Sequence, residues 1–82
     1  MDIKLLQKLC FPFGVAGDEK EISDVISEIM TGLCDKVQKD DFGNLYCFKG
    51  KDENLPTVML DAHMDSVGLI AKKIFDSGFM SF

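Results

Sequence analysis

The chain contains no arginine: all nine of its basic residues are lysines. It therefore has no planar guanidinium fork with which to grip a phosphate or carboxylate at two points, and its net charge of -5 disfavours nucleic acid and anionic membranes as partners. Long apolar runs are missing too. No stretch approaches the ~18 residues needed to span a bilayer, and the N-terminus lacks a basic segment followed by a hydrophobic signal region, so the expected location is the cytoplasm. Cysteine is sparse: Cys10, Cys34 and Cys47 are odd in number, widely spaced, and form no Cys-x-x-Cys. That pattern argues against a disulfide framework and a thiolate zinc site, and predicts three small core residues. Repeats, low-complexity tracts and inter-domain linkers are also absent.

What is present is an ordinary globular composition, 46% apolar and 28% charged, which excludes a disordered tail. At 82 residues the chain is one domain at most. A domain this small buries only about 60 to 70% of the surface of its unfolded chain, so modest stability is expected.

Apolar spacing locates the helices. Ile3, Leu5, Leu6 and Leu9 fall close to helical periodicity, with Asp2 where a negative charge suits the helix dipole. Pro12, Gly14 and Gly17 then break the pattern, and the loop between them carries Phe11 and Phe13, which are expected to pack inward. Gly14-Val15-Ala16-Gly17 precedes a helix, but without the lysine and serine of a phosphate-binding loop, and with Asp18 and Glu19 beside it to repel an anion. Asp18 and Glu21 have the spacing of a capping box, ahead of Ile22, Val25, Ile26, Ile29 and Leu33 on one face. The acidic face opposite reads as a solvated surface. Gly32 is expected to end the helix in a left-handed conformation. Lys36 to Asp40 and Asn44 to Lys49 read as a β-hairpin turning through Asp41-Phe42-Gly43-Asn44.

The stretch from Thr57 to Gly68 carries the chemistry. An apolar run after Pro56 predicts a buried strand that exits at His63, the single histidine. Strand exits are where open α/β sheets gather functional groups. If Ala62 to Asp65 stays extended, His63 and Asp65 project to the same side and share one site. A His-x-Asp pair alone supports two readings, a metal or catalytic site and a plain structural or solvent-facing histidine. Ser66 and Asp65 are too closely tethered to His63 for a relay of nucleophile, base and orienter, and no Gly-x-Ser-x-Gly elbow is present. Asp61 and Asp65 lie on one short segment and cannot flank a sugar from opposite sides. Leu69 to Ile74 resumes as a strand, Asp76-Ser77-Gly78 turns, and Phe79 to Phe82 begins another. Val58-Met59-Leu60 is apolar on both strand faces and expects cover on both sides, yet one long helix is available. The chain also stops within an apolar strand. Both features predict a piece of something larger.

Taken together, Ala62-His63-Met64-Asp65-Ser66-Val67-Gly68-Leu69-Ile70, Phe13-Gly14-Val15-Ala16-Gly17 before an acidic helix, and Asp41-Phe42-Gly43-Asn44-Leu45 in the hairpin resemble the N-terminal region of the M42 metallo-aminopeptidases. The resemblance runs over essentially the whole chain. It implies an α/β fold: the N-terminal part of a mixed β-sheet flanked by helices, in an incomplete zinc-peptidase-like catalytic domain. Residues 1–82 then end near the start of the family's dimerisation insertion. By position, His63 matches a metal-ligand histidine and Asp65 the carboxylate that hydrogen-bonds a ligand imidazole, in a site for two divalent metals, zinc or cobalt. A carboxylate in that place fixes the tautomer and makes the coordinating nitrogen more basic. Ser66 departs from the glutamate common in the family, and the remaining ligands are supplied from outside this stretch. Asp61, two residues before His63, is expected to stay out of the metal's reach, because side chains spread along an extended backbone. The implied function is part of a metal-dependent aminopeptidase acting on peptide substrates, inactive by itself, with a homo-oligomer possible for the complete parent. The competing reading is a non-catalytic interaction module that packs on a partner chain through an exposed sheet edge.

Overall fold

Helix formation begins where Asp2, in extended conformation (φ -80°, ψ 103°), turns its side chain to accept a hydrogen bond from the Leu5 N–H at 3.1 Å. The computed structural model describes residues 2–82, and α1 occupies Ile3–Cys10. The second helix, α2 (Lys20–Thr31), carries the buried centre. Among the described residues, Ile22, 3% exposed, is the buried apolar side chain, and Ser23 lies beside it at 5%. Val25, Ile26 and Ile29 follow Ile22 on the same face and are half-buried, while Leu33 is exposed.

The ends of α2 differ from expectation. No capping box forms, because the N-cap is Glu19 and Asp18 is drawn into a tight turn, its N–H donating to the Val15 carbonyl at 2.9 Å. The Glu19 carboxylate turns back to accept from the Gly17 N–H at 2.7 Å. The Asp18 N–H, which the box would have left for the Glu21 side chain, is thus taken by a backbone carbonyl, and Phe13's carbonyl accepts from the Ile22 N–H at 3.3 Å in the first turn of the helix. At the other end Gly32 stays helical (φ -79°) rather than left-handed, and the N–H groups of Leu33 and Cys34 both donate to Met30 O.

The hairpin forms as expected. Strands β1 (Lys36–Lys39) and β2 (Leu45–Phe48) pair antiparallel with Val37 opposite Cys47. Asp40 builds the turn: one carboxylate oxygen accepts from the Phe42 and Asn44 N–H groups, the other from the Asn44 amide. The Asn44 side-chain hydrogen bond, with the backbone donors behind it, holds the Asp40 carboxyl below its ordinary value. Gly43 supplies the positive φ (87°) the turn requires. The hairpin is tied to α2 through Asp24, which meets Lys39 at 2.6 Å and Lys20 at 2.8 Å.

Beyond residue 50 the order is sparse. β3 (Lys73–Ile74) and β4 (Met80–Ser81) form a two-residue ladder around the Asp76-Ser77-Gly78 turn. The buried strand expected at Thr57 to His63 is absent, and Val58, Met59 and Leu60 are 82, 77 and 93% exposed. The reason is physical: a strand is completed by a ladder partner and by cover on its apolar faces, and neither reaches this run among the described residues. The elements are thus an α/β mix of two helices and two separate antiparallel pairs, without the expected mixed sheet. The three cysteines are not core residues either; Cys10 is exposed and Cys34 and Cys47 are half-buried. Phe11 and Phe13 also stay outward, at 79 and 53% exposure. The radius of gyration is 17.5 Å, against about 12 Å for a compact domain of this length. No described helix is long and apolar enough to cross a membrane.

Candidate metal centre

The site is held by three backbones in succession. Gly14 lies so close to α2 that a Cβ on it would sit 2.5 Å from Ile22 Cγ2, so a residue without a side chain is what lets the loop rest on the helix. Ser66 then hangs from Gly14: its N–H donates to Gly14 O at 2.7 Å and its hydroxyl to the same oxygen at 3.3 Å. Val15 and Ser66 form an isolated parallel bridge. On the far side of that bridge a Cβ at Gly68 would collide with the Val15 side chain. The buried part of α2 therefore positions residues 63–68, although 52 residues separate Gly14 from Ser66.

Within that segment His63 and Asp65 come together as expected, without the strand that was to bring them there. His63 Nδ1 lies 3.0 Å from Asp65 Oδ1 and 3.2 Å from the Asp65 backbone oxygen. A backbone carbonyl accepts and cannot donate, so the proton belongs on Nδ1 and the lone pair on Nε2. The imidazole side chain is 84% exposed and the carboxylate 42%, which leaves Nε2 free to meet a ligand. Beside the pair is an open hollow of about 350 Å³, walled by Val15, Ala16, Val67, Gly68 and Ile70 with His63, Asp65 and Ser66 as its polar groups. It offers one nitrogen ligand at the edge of an apolar wall.

That donor set fits one corner of a metal site. Among the described residues no three of His, Cys, Asp or Glu gather around one point, and Asp61 joins no such group. A hydrolytic zinc site takes at least three protein ligands. His63 with its Asp65 partner has the chemistry of the first of them: an imidazole whose tautomer is set by a carboxylate on the other nitrogen. The contribution of Gly14, Val15 and Ser66 was not read from the sequence. The Gly-Val-Ala-Gly loop is the available signal: its glycines suit a turn, and Gly14 serves as well as a bed for residues 63–68.

Comparison with known proteins bears on what this arrangement serves. Residues 43–82 match the family model described as M42 glutamyl aminopeptidase. The lysyl aminopeptidase of Pyrococcus furiosus is 35% identical over 82 residues, covering 98% of this chain and 23% of that protein. FrvX of Escherichia coli is 35% identical over 82 residues, covering 100% of this chain and 22% of its own length. A protein of Acetivibrio thermocellus is 38% identical over 79 residues, covering 95% of this chain and 23% of its own length. The latter two carry the word aminopeptidase in their names. The chain therefore spans between a fifth and a quarter of the length of these relatives. No solved structure matches it.

Proposed function

For a chain similar along its length to proteins named as aminopeptidases and, over residues 43–82, to the M42 family model, we propose a role as the N-terminal portion of a metal-dependent aminopeptidase catalytic domain, one that removes N-terminal residues from peptides. One observation carries the assignment of roles: the 3.0 Å contact from His63 Nδ1 to Asp65 Oδ1, which turns Nε2 outward as a ligand. His63 is the proposed metal ligand. Asp65 is the proposed positioning residue, holding the ring's tautomer and angle and raising the basicity of Nε2. When bound, a pair of divalent ions, zinc or cobalt, supplies Lewis acidity toward the scissile carbonyl and lowers the pKa of water. This chain's own part is to hold one imidazole by its Nδ1 against Asp65 at the edge of the hollow while the other ligands come from elsewhere. By itself it is catalytically silent, because one imidazole leaves most of a coordination sphere to water.

In this reading residues 1–82 precede the dimerisation insertion that the family resemblance implies, and the setting is the cytoplasm. The test is made in that longer protein. His63→Ala is expected to abolish most metal-dependent hydrolysis of aminoacyl chromogenic substrates. Asp65→Asn keeps the hydrogen-bonding geometry but not the charge, and is expected to weaken metal affinity by about 10- to 100-fold. Undiminished activity in His63→Ala overturns the proposal. A second reading, an interaction module, rests on the apolar side chains left open at Val58, Leu60 and Val67, 82, 93 and 99% exposed. It is favoured instead if the longer protein hydrolyses no aminoacyl substrate with either metal while this chain captures a partner.

A further inference from the structure

The run from Thr57 to Ala62 has no partner for its backbone. Among the described residues no backbone hydrogen bond ends on it, although six residues at strand spacing reach about 20 Å, the length of an ordinary strand. The segment that follows is fixed nonetheless, because Ser66 N–H donates to Gly14 O at 2.7 Å. Extended, the run sets Val58 and Leu60 to one side and Met59 to the other, and all three are exposed. A strand that is apolar on both faces belongs inside a sheet covered on both sides. Asp61 is the single charge that guards its edges against pairing.

We infer that residues 57–62 are the docking strand for a second polypeptide, one carrying the more than three quarters of the relatives' length that this chain does not match, and that the two assemble without a covalent link. The inference rests on the reading of this chain as the N-terminal portion of a catalytic domain. The accessible surface, 7592 Å², stands about 2,700 Å² above that of a compact protein of this size. Covering that excess takes a partner of obligate kind, since obligate interfaces bury about 2,000 to 5,000 Å² over both sides. A second copy of this chain does not meet the need: it brings the same bare run, and its long helix α2 already lies against α1 and the hairpin, so no layer is left to cover the strand. The occupant that fits is a sheet with a gap, offering strand edges to the backbone of 57–62 and apolar cover to both of its faces. Seated there, the run ends at His63 and delivers the imidazole to ligands carried by the partner.

The test expresses the longer protein as two polypeptides in one cell, this chain and a tagged remainder, recovered through the tag. A one-to-one complex is expected, in which the amides of residues 57–62 exchange at least about a hundredfold slower than in the free chain. Val58→Lys with Leu60→Lys is expected to abolish the complex, and so is Met59→Lys on the opposite face, which a strand covered on one side only would tolerate. These side chains are open in the free chain, so the variants keep the slow exchange of Ile22 to Ile29, and lost assembly is not lost folding. A remainder recovered alone, a remainder insoluble with and without this chain, a complex in which residues 57–62 exchange as fast as before, or full assembly of Met59→Lys overturns the inference. Assembly without hydrolysis of any aminoacyl substrate leaves the inference standing and removes the peptidase reading, whereas hydrolysis by the unbroken protein with no assembly of its two pieces does the reverse.

Discussion

Residues 3–48 and residues 51–82 were built from comparably apolar sequence, yet they ended in different states. The first part contains two helices, a hairpin and the buried side chains; the second contains a two-residue ladder and a row of open apolar groups. The difference is where each element's partners lie in the sequence. A helix satisfies its hydrogen bonds within itself, and a hairpin within about ten residues. Val58-Met59-Leu60 needs neighbours on two edges and two faces. The accessible surface, 7592 Å², exceeds the about 4,900 Å² of a compact protein of this size. The candidate metal ligand sits in that second part and borrows its order from the first through Gly14 and Ser66.

The sharpest way to break this comparison is amide hydrogen exchange. Opening free energies run from zero in segments without partners up to the global value in a core, so amides of Ile22 to Ile29 should exchange more than about tenfold slower than those of residues 57–60. Equal rates would erase the distinction between the two parts. Ser66, whose N–H is held by Gly14 O, should stand out as protected within an otherwise fast stretch. The next largest effect is expected at Ile22. Truncating it to alanine removes the buried side chain on which both α2 and the Gly14 loop rest, at a cost of about 2 kcal/mol, the low end for such a change because an open surrounding collapses easily. A urea midpoint unchanged in Ile22→Ala would show that the centre lies elsewhere.

What was legible in the sequence divides along the same line. The spacing of Ile3, Leu6 and Leu9, the face from Ile22 to Ile29, and the Asp-Phe-Gly-Asn turn are local signals, and the elements they predict are present. Local signals misled where a nearby backbone group outcompeted them. The Asp18 to Glu21 box lost to the Val15 carbonyl, which takes the Asp18 N–H, and Gly32 had no need of a left-handed turn once Met30 O accepted two donors. The strand at Thr57 to His63 depended on surfaces that none of the described residues supplies. The His63 and Asp65 pairing was readable because two residues apart is a local relation that survives without the strand. The bed beneath it joins positions 52 apart, and no spacing rule reports that.

Two glycine substitutions refine the link between the parts. Gly14→Ala forces a Cβ against Ile22 Cγ2 at 2.5 Å, and overpacking of that kind costs about 1 to 3 kcal/mol, so thermal unfolding should shift down. Gly68→Ala meets the Val15 side chain in an exposed loop that can move away. Its expected effect is therefore smaller on the midpoint and larger locally: the Val15 bridge opens and Ser66 N–H protection falls to the level of its neighbours. Should Gly68→Ala instead unfold α2, the dependence between the parts would run in the opposite direction.

The smallest effect concerns the tie between α2 and the hairpin, and it is read through pH. Hydrogen bonds from Lys20 and then Lys39 lower the Asp24 carboxyl to about 2 from its ordinary 3.8, and the same bond raises Lys20. A carboxyl whose pKa is depressed by folding binds its proton more weakly in the folded chain than in the unfolded one, so it stabilises the fold above the unfolded value. That contribution is complete above about pH 4 and is lost as pH falls from there through about 2. Both lysines and Asp24 face solvent, so the effect is modest and screened by salt. Asp24→Asn is expected to flatten stability against pH between about 4 and 2 at low salt, with Asp40, also lowered, supplying the remaining slope. Raising the sodium chloride concentration should shrink the difference between Asp24→Asn and the unsubstituted chain above pH 4. A low-salt profile that keeps its full slope in that window after Asp24→Asn would place the acid sensitivity in the other carboxylates and leave the tie between α2 and the hairpin resting on apolar contact alone.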